Sequence, residues 1–301
     1  MKTHQDTLQR FLFENTPVRG NLVNLTQTLQ QALNKQHLPT GLRKALGELM
    51  AASALLAATL KMDGSLVMQI QSKGALKLLV VECNSDVGST IKMRATAKWG
   101  DGVTDNQNLF ELIEQGQFMI TLDPKDGQAY QGIVPIEGDS ISAVLENYMM
   151  RSEQIDTKIW LSCDGESAAG MLIQKLPETM NQETQIHDED IWNRVGYLAG
   201  TVTDEELLNL PTETLITRLF HEEDVRLFES SITQFFCSCT RESVSNMLRM
   251  LGDEEINSII EEQGKIEVNC DFCNAHYAFD KIDAAQLLVT EAAVITSPKI
   301  H

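Results

Sequence analysis

No apolar run in this chain of 301 residues reaches the ~18–20 residues that a membrane-spanning helix needs. The longest candidate, Leu49 to Leu60, is Ala-rich and suits a buried helix. Met1 to Glu14 mixes charges and amides without an apolar stretch, so no secretory signal is legible and a cytoplasmic location is expected. Cysteine is scarce: six thiols are too few for a disulfide scaffold, and in a reducing compartment paired cysteines read as metal-binding or redox-active. Basic residues are scarce too, 24 Lys and Arg against 43 Asp and Glu. The deficit is uneven: net −3 over residues 1–177, −10 over 178–229 and −6 over 230–301. A nucleic-acid binder needs a basic stripe to displace counterions from phosphates, and neither C-terminal segment has one. The chain also lacks a Gly-rich phosphate loop, a Ser/His/Asp arrangement and an internal repeat. His4, His37, His187, His221 and His301 are scattered among polar neighbours. An enzyme is not expected.

What is present begins with a hydrophobic content of 43%, enough for a real core. Residues 1–177 read as one mixed domain. Val18 to Val23, Leu66 to Gln71, Leu76 to Glu82, Phe118 to Leu122, Gln131 to Ile136, Ile159 to Cys163 and Ala168 to Gln174 are expected strands. Met62 to Ser65 and Asp123 to Gly127 are turns, the latter a hairpin loop. Leu42 to Leu60 is an expected helix, and so is Ser140 to Met150, with Asp139 or Ser140 as its N-cap. Many strands with a few long helices make the class α+β. Arg151, Ser152, Glu153 and Gln154 form a compact polar cluster after the second helix, open to a functional role or to capping and ion pairing.

Pro177 and the polar stretch Glu178 to Asp190 mark a boundary. Ile191 to Phe228 reads as short amphipathic helices broken at Gly196, Gly200 and Pro211. Their apolar residues, Trp192, Leu215, Leu219 and Phe220 among them, need a surface to bury against, because about 50 residues cannot offset an ordering cost of ~1–2 kcal/mol each without a neighbour. With net −10 adding self-repulsion, residues 178–235 read as a metastable acidic helical linker. The plainer alternative is an acidic helical hairpin packed firmly on the core.

Residues 236–301 form a small C-terminal module. Cys237 and Cys239 open it, and Cys270 and Cys273 follow after thirty intervening residues. Arg241 to Leu251 and Asp253 to Gln263 are expected helices, stopped at Gly252 and Gly264. Lys265 to Asn269 and Tyr277 to Phe279 are strands flanking the second cysteine pair, with a last helix over Ile282 to Leu288. Thiolates in two close pairs suit one tetrahedral Zn²⁺, and a closed four-ligand site leaves no open position for catalysis. His276 is an alternative fourth ligand. A purely structural zinc is one reading. A redox role is the other: Cys239 lies just before a helix N-terminus beside Arg241, a setting that favours thiolate. Cys83 and Cys163 stand alone on expected strands and read as buried core thiols.

These residues together resemble the bacterial 33-kilodalton heat-shock protein family of redox-regulated holdase chaperones. The C-terminal likeness is Cys237-Ser238-Cys239-Thr240-Arg241-Glu242 with Cys270-Asp271-Phe272-Cys273-Asn274-Ala275-His276-Tyr277. The core likeness is Tyr130 to Val134, Glu137 to Ser140, Tyr148 to Gln154, Val18 to Gly20 and Ala168 to Leu172. The resemblance spans nearly the full length. It implies that Cys237, Cys239, Cys270 and Cys273 bind one zinc when reduced. On oxidation, it implies Cys237–Cys239 and Cys270–Cys273 disulfides, metal release, and unfolding of the zinc domain and linker. The protein then holds unfolding clients without ATP, often as a homodimer. The rival readings are a zinc-ribbon adaptor for one protein partner and a thiol oxidoreductase using Cys270 and Cys273; no thioredoxin-like βαβ pattern supports the latter.

Overall fold

Residues 6–60, 63–85, 90–177 and 190–287 are described by the computed structural model of the chain. They separate into two units, Met1–Phe236 and Cys237–His301. Met62, most of the stretch from Glu178, Leu288, His4, His187 and His301 lie outside the described residues.

The first unit is built on one sheet. Its elements are β1 (Thr7–Phe13), β2 (Val18–Leu25), α1 (Gln27–Leu33), α2 (Thr40–Ala57), β3 (Gly64–Gln71), β4 (Leu76–Ser85) and β5 (Thr90–Trp99). Then come β6 (Gln117–Pro124), β7 (Tyr130–Pro135), α3 (Ile141–Tyr148), β8 (Thr157–Cys163) and β9 (Ala168–Lys175). The segment before the cysteines adds α4 (Ile191–Ala199), α5 (Asp204–Asn209), α6 (Thr212–Phe220), β10 (Val225–Leu227) and β11 (Ser231–Phe235). Strand order is β7-β6-β3-β4-β5-β11-β1-β2-β9-β8, with β10 also on β1. The mixed α+β architecture expected from the pattern is what the chain adopts.

Two apolar layers cover this sheet, and strand periodicity sorts residues between them. On β9, Ala168 and Leu172 enter the core beneath α2, while Ala169, Met171 and Ile173 face the other way. On β1, Leu8 joins the first layer and Phe11 and Phe13 the second. Helix α2 can lie close against the strands because Ala45, Ala51, Ala52 and Ala54 are buried on it. The second layer is roofed by α4, α5 and α6, which supply Val195, Leu207, Leu215, Ile216, Leu219 and Phe220. Phe220 meets Phe13 edge-on at 5.1 Å.

Several expectations change. β1, α1 and β5 are not assigned by the patterns above. The N-terminus of α1 is held from a distance: the Asp6 carboxylate accepts from Thr26 N (2.8 Å), Gln27 N (3.2 Å) and Thr28 N. The stretch expected as helical to Phe228 ends its helices at Phe220, and Val225–Leu227 pairs with β1 because that strand edge is open to it. Gly196 does not break a helix; it sits buried inside α4, where a Cβ would stand 2.3 Å from Lys158 Nζ. Gly200 and Pro211 do bound helices as expected. A capping box at Thr203 and Glu206 starts α5, and Ser140 caps α3.

The exposed polar cluster after α3 makes local capping and ion-pair contacts. Met149–Glu153 forms a π-turn ended by Gln154 in the left-handed region. Arg151 pairs with Glu137 at 2.7 Å, and Tyr148 donates to Glu153 at 3.3 Å. A Cβ on Gly132 of β7 would lie 2.4 Å from the Tyr148 hydroxyl, so the Tyr130–Val134 and Tyr148–Gln154 segments are one packing unit.

The second unit comprises α7 (Arg241–Arg249), α8 (Asp253–Gln263), β12 (Ile266–Asn269), β13 (His276–Phe279) and a helix over 281–287. Gly264 follows α8 at φ 78°, a conformation that favours glycine. The core here is small: Val244, Leu248, Ile256, Ile260, Ile266, Phe279, Ala284 and Leu287 are its buried side chains.

Candidate metal centre

The second cysteine pair sits on a tight turn between two paired strands. Asn269 pairs with His276 at the end of the β12–β13 ladder. Beyond it, Cys270 N donates to Ala275 O at 2.9 Å and Asn274 N donates to Cys270 O at 2.8 Å. Asn274 takes φ 55°, which its short amide tolerates better than most side chains. The turn therefore aims Cys270 and Cys273 to one side. Cys239 immediately precedes Thr240, the N-cap of α7, whose hydroxyl closes a capping box with Ser243.

Cys237, Cys239, Cys270 and Cys273 place their four Sγ atoms within 4.8 Å of one another. Cys237 Sγ lies 3.7 Å from Cys270 Sγ, and Cys239 Sγ lies 3.2 Å from Cys273 Sγ. A zinc tetrahedron with bonds of about 2.3 Å has sulfur–sulfur edges of about 3.8 Å, so the donor set and its spacing fit such an ion. Each of the four cysteines is half-buried. Burial, then hydrogen bonding among the neighbouring thiols, pushes Cys273 up to about 12. A divalent cation at the cluster would reverse that preference at Cys273. The four cysteines can hold one metal ion.

The surroundings contain one residue that spacing alone does not single out. Tyr277 donates its hydroxyl toward Cys239 Sγ at 3.3 Å and Cys239 O at 3.2 Å. The hydrogen bond to Cys239 pushes the Tyr277 phenol up to about 12. Its signal was its place in the return strand, four residues after Cys273. His276 faces away: Nδ1 lies 2.9 Å from Asn269 Oδ1 and Nε2 lies 3.3 Å from Glu267. Arg241, adjacent to the cluster in sequence, has its guanidinium 4.2 Å from the Phe279 ring centroid and donates to Ala278 O and Asp283. Cys83 and Cys163 are buried core thiols on β4 and β8, the latter pushed up to about 11 by burial.

The apolar residues suspected of client contact are covered in this state. Leu215, Leu219 and Phe220 are buried against β1 and its neighbours. Trp192 is half-buried, with Lys158 Nζ 5.5 Å from its ring centroid. Among the described residues no helix is long and apolar enough to cross a membrane.

Comparison with known proteins agrees with this geometry. The Hsp33 protein family model matches residues 6–280. The 33 kDa chaperonin of Methylobacillus flagellatus is 59% identical over 288 residues, covering 95% of each chain. That of Chromobacterium violaceum is 51% identical, covering 94% of each. The crystal structure of a Thermotoga maritima 33 kDa chaperonin, a heat shock protein 33 homolog, shares the fold with a TM-score of 0.80 at 21% identity, covering 96% of this chain and 100% of that one. With a four-cysteine cluster behind a mixed core, and relatives matched over almost their whole length, the chain belongs to the Hsp33 family and its function is that of a chaperone.

Proposed function

We propose that the chain is a redox-regulated, ATP-independent holdase: inactive while its four cluster cysteines are reduced and hold one zinc ion, and active toward unfolding proteins under oxidative stress. The observation that carries this reading is the gathering of four sulfurs within 4.8 Å in a unit with so small an apolar core. Bound zinc would supply four cross-links between the start of that unit and its β12–β13 turn, and such sites contribute about 10–16 kcal/mol of apparent folding free energy in small modules. Oxidation joins Cys237 to Cys239 and Cys270 to Cys273. Each pair of thiolates gives up two electrons to one hydrogen peroxide, which takes two protons from solvent and leaves as two waters. A sulfur in a disulfide is no longer a thiolate donor, so the cross-links are lost together.

The working division is then a core of residues 1–177, a linker of 178–235 and a switch of 236–301. The linker helices bury Leu215, Leu219 and Phe220 on the sheet, and their release with Trp192 uncovers apolar surface for clients. The charge of −19 keeps the loaded complex dispersed. Holding is stoichiometric rather than catalytic, occurs in the cytoplasm, and proceeds as a homodimer; nucleic acid and membrane are not partners.

The test is light scattering from a denatured client, run with reduced and with oxidised protein. Suppression by the oxidised form alone is expected. Equal suppression by both forms sinks the switch. Peptide mapping of the oxidised chain should find the local pairs, and dominant Cys239–Cys273 linkage would replace the proposed pairing.

A further inference from the structure

Strand β11 occupies an unusual place for a segment that ends beside the first cysteine. It pairs parallel with β5, Ile232 to Phe235 against Thr90 to Met93, and antiparallel with β1, Ile232 and Ser231 against Thr7 and Leu8. No other strand among the described residues joins the β7-β6-β3-β4-β5 half of the sheet to the β1-β2-β9-β8 half. Thr233 N donates to Asp6 O at 3.0 Å and Phe236 N to Met93 O at 3.0 Å. Cys237 follows directly.

For a central strand it is poorly anchored. Ile232 is 51% exposed, and Gln234 is exposed beside it. Only Thr233 is fully buried, and its Oγ1 is a buried polar atom without a hydrogen-bond partner. An unpaired buried hydroxyl disfavours the seated state. The slot does not depend on β11 for its shape. Helix α2 packs against β3, β4 and β5 on one side and β2, β8 and β9 on the other, spanning the gap from behind. Helix α1, pinned by Asp6, packs against both β11 and β5.

We propose that β11 is a removable strand, and that the slot it leaves between β5 and β1 takes an extended segment of an unfolding client by strand addition. This rests on the holdase reading and names its binding site. The slot suits such a partner: two strand edges offer main-chain hydrogen bonds that any sequence can use. Its α1 side admits small or apolar side chains at alternate positions, as at Thr233 and Phe235. Its other side is open, as at Ile232 and Gln234, and accepts side chains of any size.

Amide hydrogen exchange on the full chain tests this, with reduced, carboxymethylated α-lactalbumin as the unfolded client. Oxidation should speed exchange at least tenfold over 231–235, Thr7, Leu8 and Thr90–Met93. The client should restore protection at Thr7, Leu8 and Thr90–Met93 while 231–235 stays fast. A peptide copying Ser230–Phe236 should displace the client, and the same peptide with Thr233→Pro, which lacks the N–H that meets Asp6 O, should not. If 231–235 stays protected while the oxidised protein suppresses aggregation, the removable strand is wrong and the holdase reading stands. If protection of Thr90–Met93 returns without client as protein concentration rises, the occupant is a second copy and the proposal falls. An oxidised chain that suppresses no aggregation overturns both readings.

Discussion

Tyr277 shows how a single hydroxyl can serve a thiolate cluster. It donates to Cys239 Sγ and to the carbonyl of the same residue, so it orients the ligand as well as solvating it. Groups of this kind usually tune metal affinity by about 10–100-fold. Tyr277→Phe should therefore weaken zinc binding by roughly tenfold in a chelator competition, with far-UV circular dichroism unchanged. Cys270→Ser removes a ligand outright and should lower affinity much further, by roughly 1,000-fold or more, because among the described residues no His, Asp or Glu joins the four cysteines. His276 is the residue to watch: it is committed to Asn269 and Glu267. If Cys270→Ser retains full affinity and His276→Ala then loses it, the four-cysteine assignment fails.

At the scale of elements, the helices over 191–220 lie on the core through apolar contacts and a few polar ones, and both kinds can be tested. Leu219 is buried beside Phe220 on the second apolar layer. Leu219→Glu should cost about 3 kcal/mol of local docking. Its expected signature is faster amide exchange across 191–220 and partial holdase activity in the reduced protein, with zinc retained. Gly196→Ala looks stabilising by helix propensity, about 1 kcal/mol. The added Cβ would instead strike Lys158, whose Nζ lies 5.5 Å from the Trp192 ring centroid and 6.0 Å from that of Tyr197. Gly200→Ala, at φ −64°, meets only its own helix and should slow exchange in α4 more than Gly196→Ala does. Glu48 of α2 is pushed up to about 7 by burial, with the Asp204 carboxylate of α5 adding to the shift and Lys44 opposing it. A carboxyl raised in the folded state stabilises most below its unfolded value near 4.5, and that contribution is lost as pH climbs through about 7. Stability should thus fall by about 3 kcal/mol between pH 4.5 and 7 from this group, and Glu48→Gln should flatten that part of a denaturation profile.

For the whole molecule, two parts of unequal core size should melt separately. Calorimetry of the reduced chain should show a lower transition, from residues 237–287 together with the linker helices and β11, that moves with zinc by about 2.7 kcal/mol at 100 times Kd, and an upper one from the rest of the sheet that does not. A single transition insensitive to metal would contradict this. The cysteine spacing, the acidic run and the Ala-rich helix were legible in the chain because each is local chemistry: soft ligands close together, like charges close together, small side chains at helical intervals. Strands β3, β4, β6, β7, β8 and β9 were legible for the same reason, their alternation or apolar runs lying within a few residues. Strand β1 was not, since Phe11 and Phe13 become core only when α6 brings Phe220 to them from two hundred residues away. Nor was α1, whose cap is Asp6 across a strand. The sequence by itself determined which residues can hold a metal and which stretch is acidic and apolar at once. Tertiary structure alone decided that β11 is the central strand, that Arg241 turns to Phe279 and that Tyr277 meets Cys239, because pairing partners and side-chain directions depend on chain segments that local periodicity does not relate.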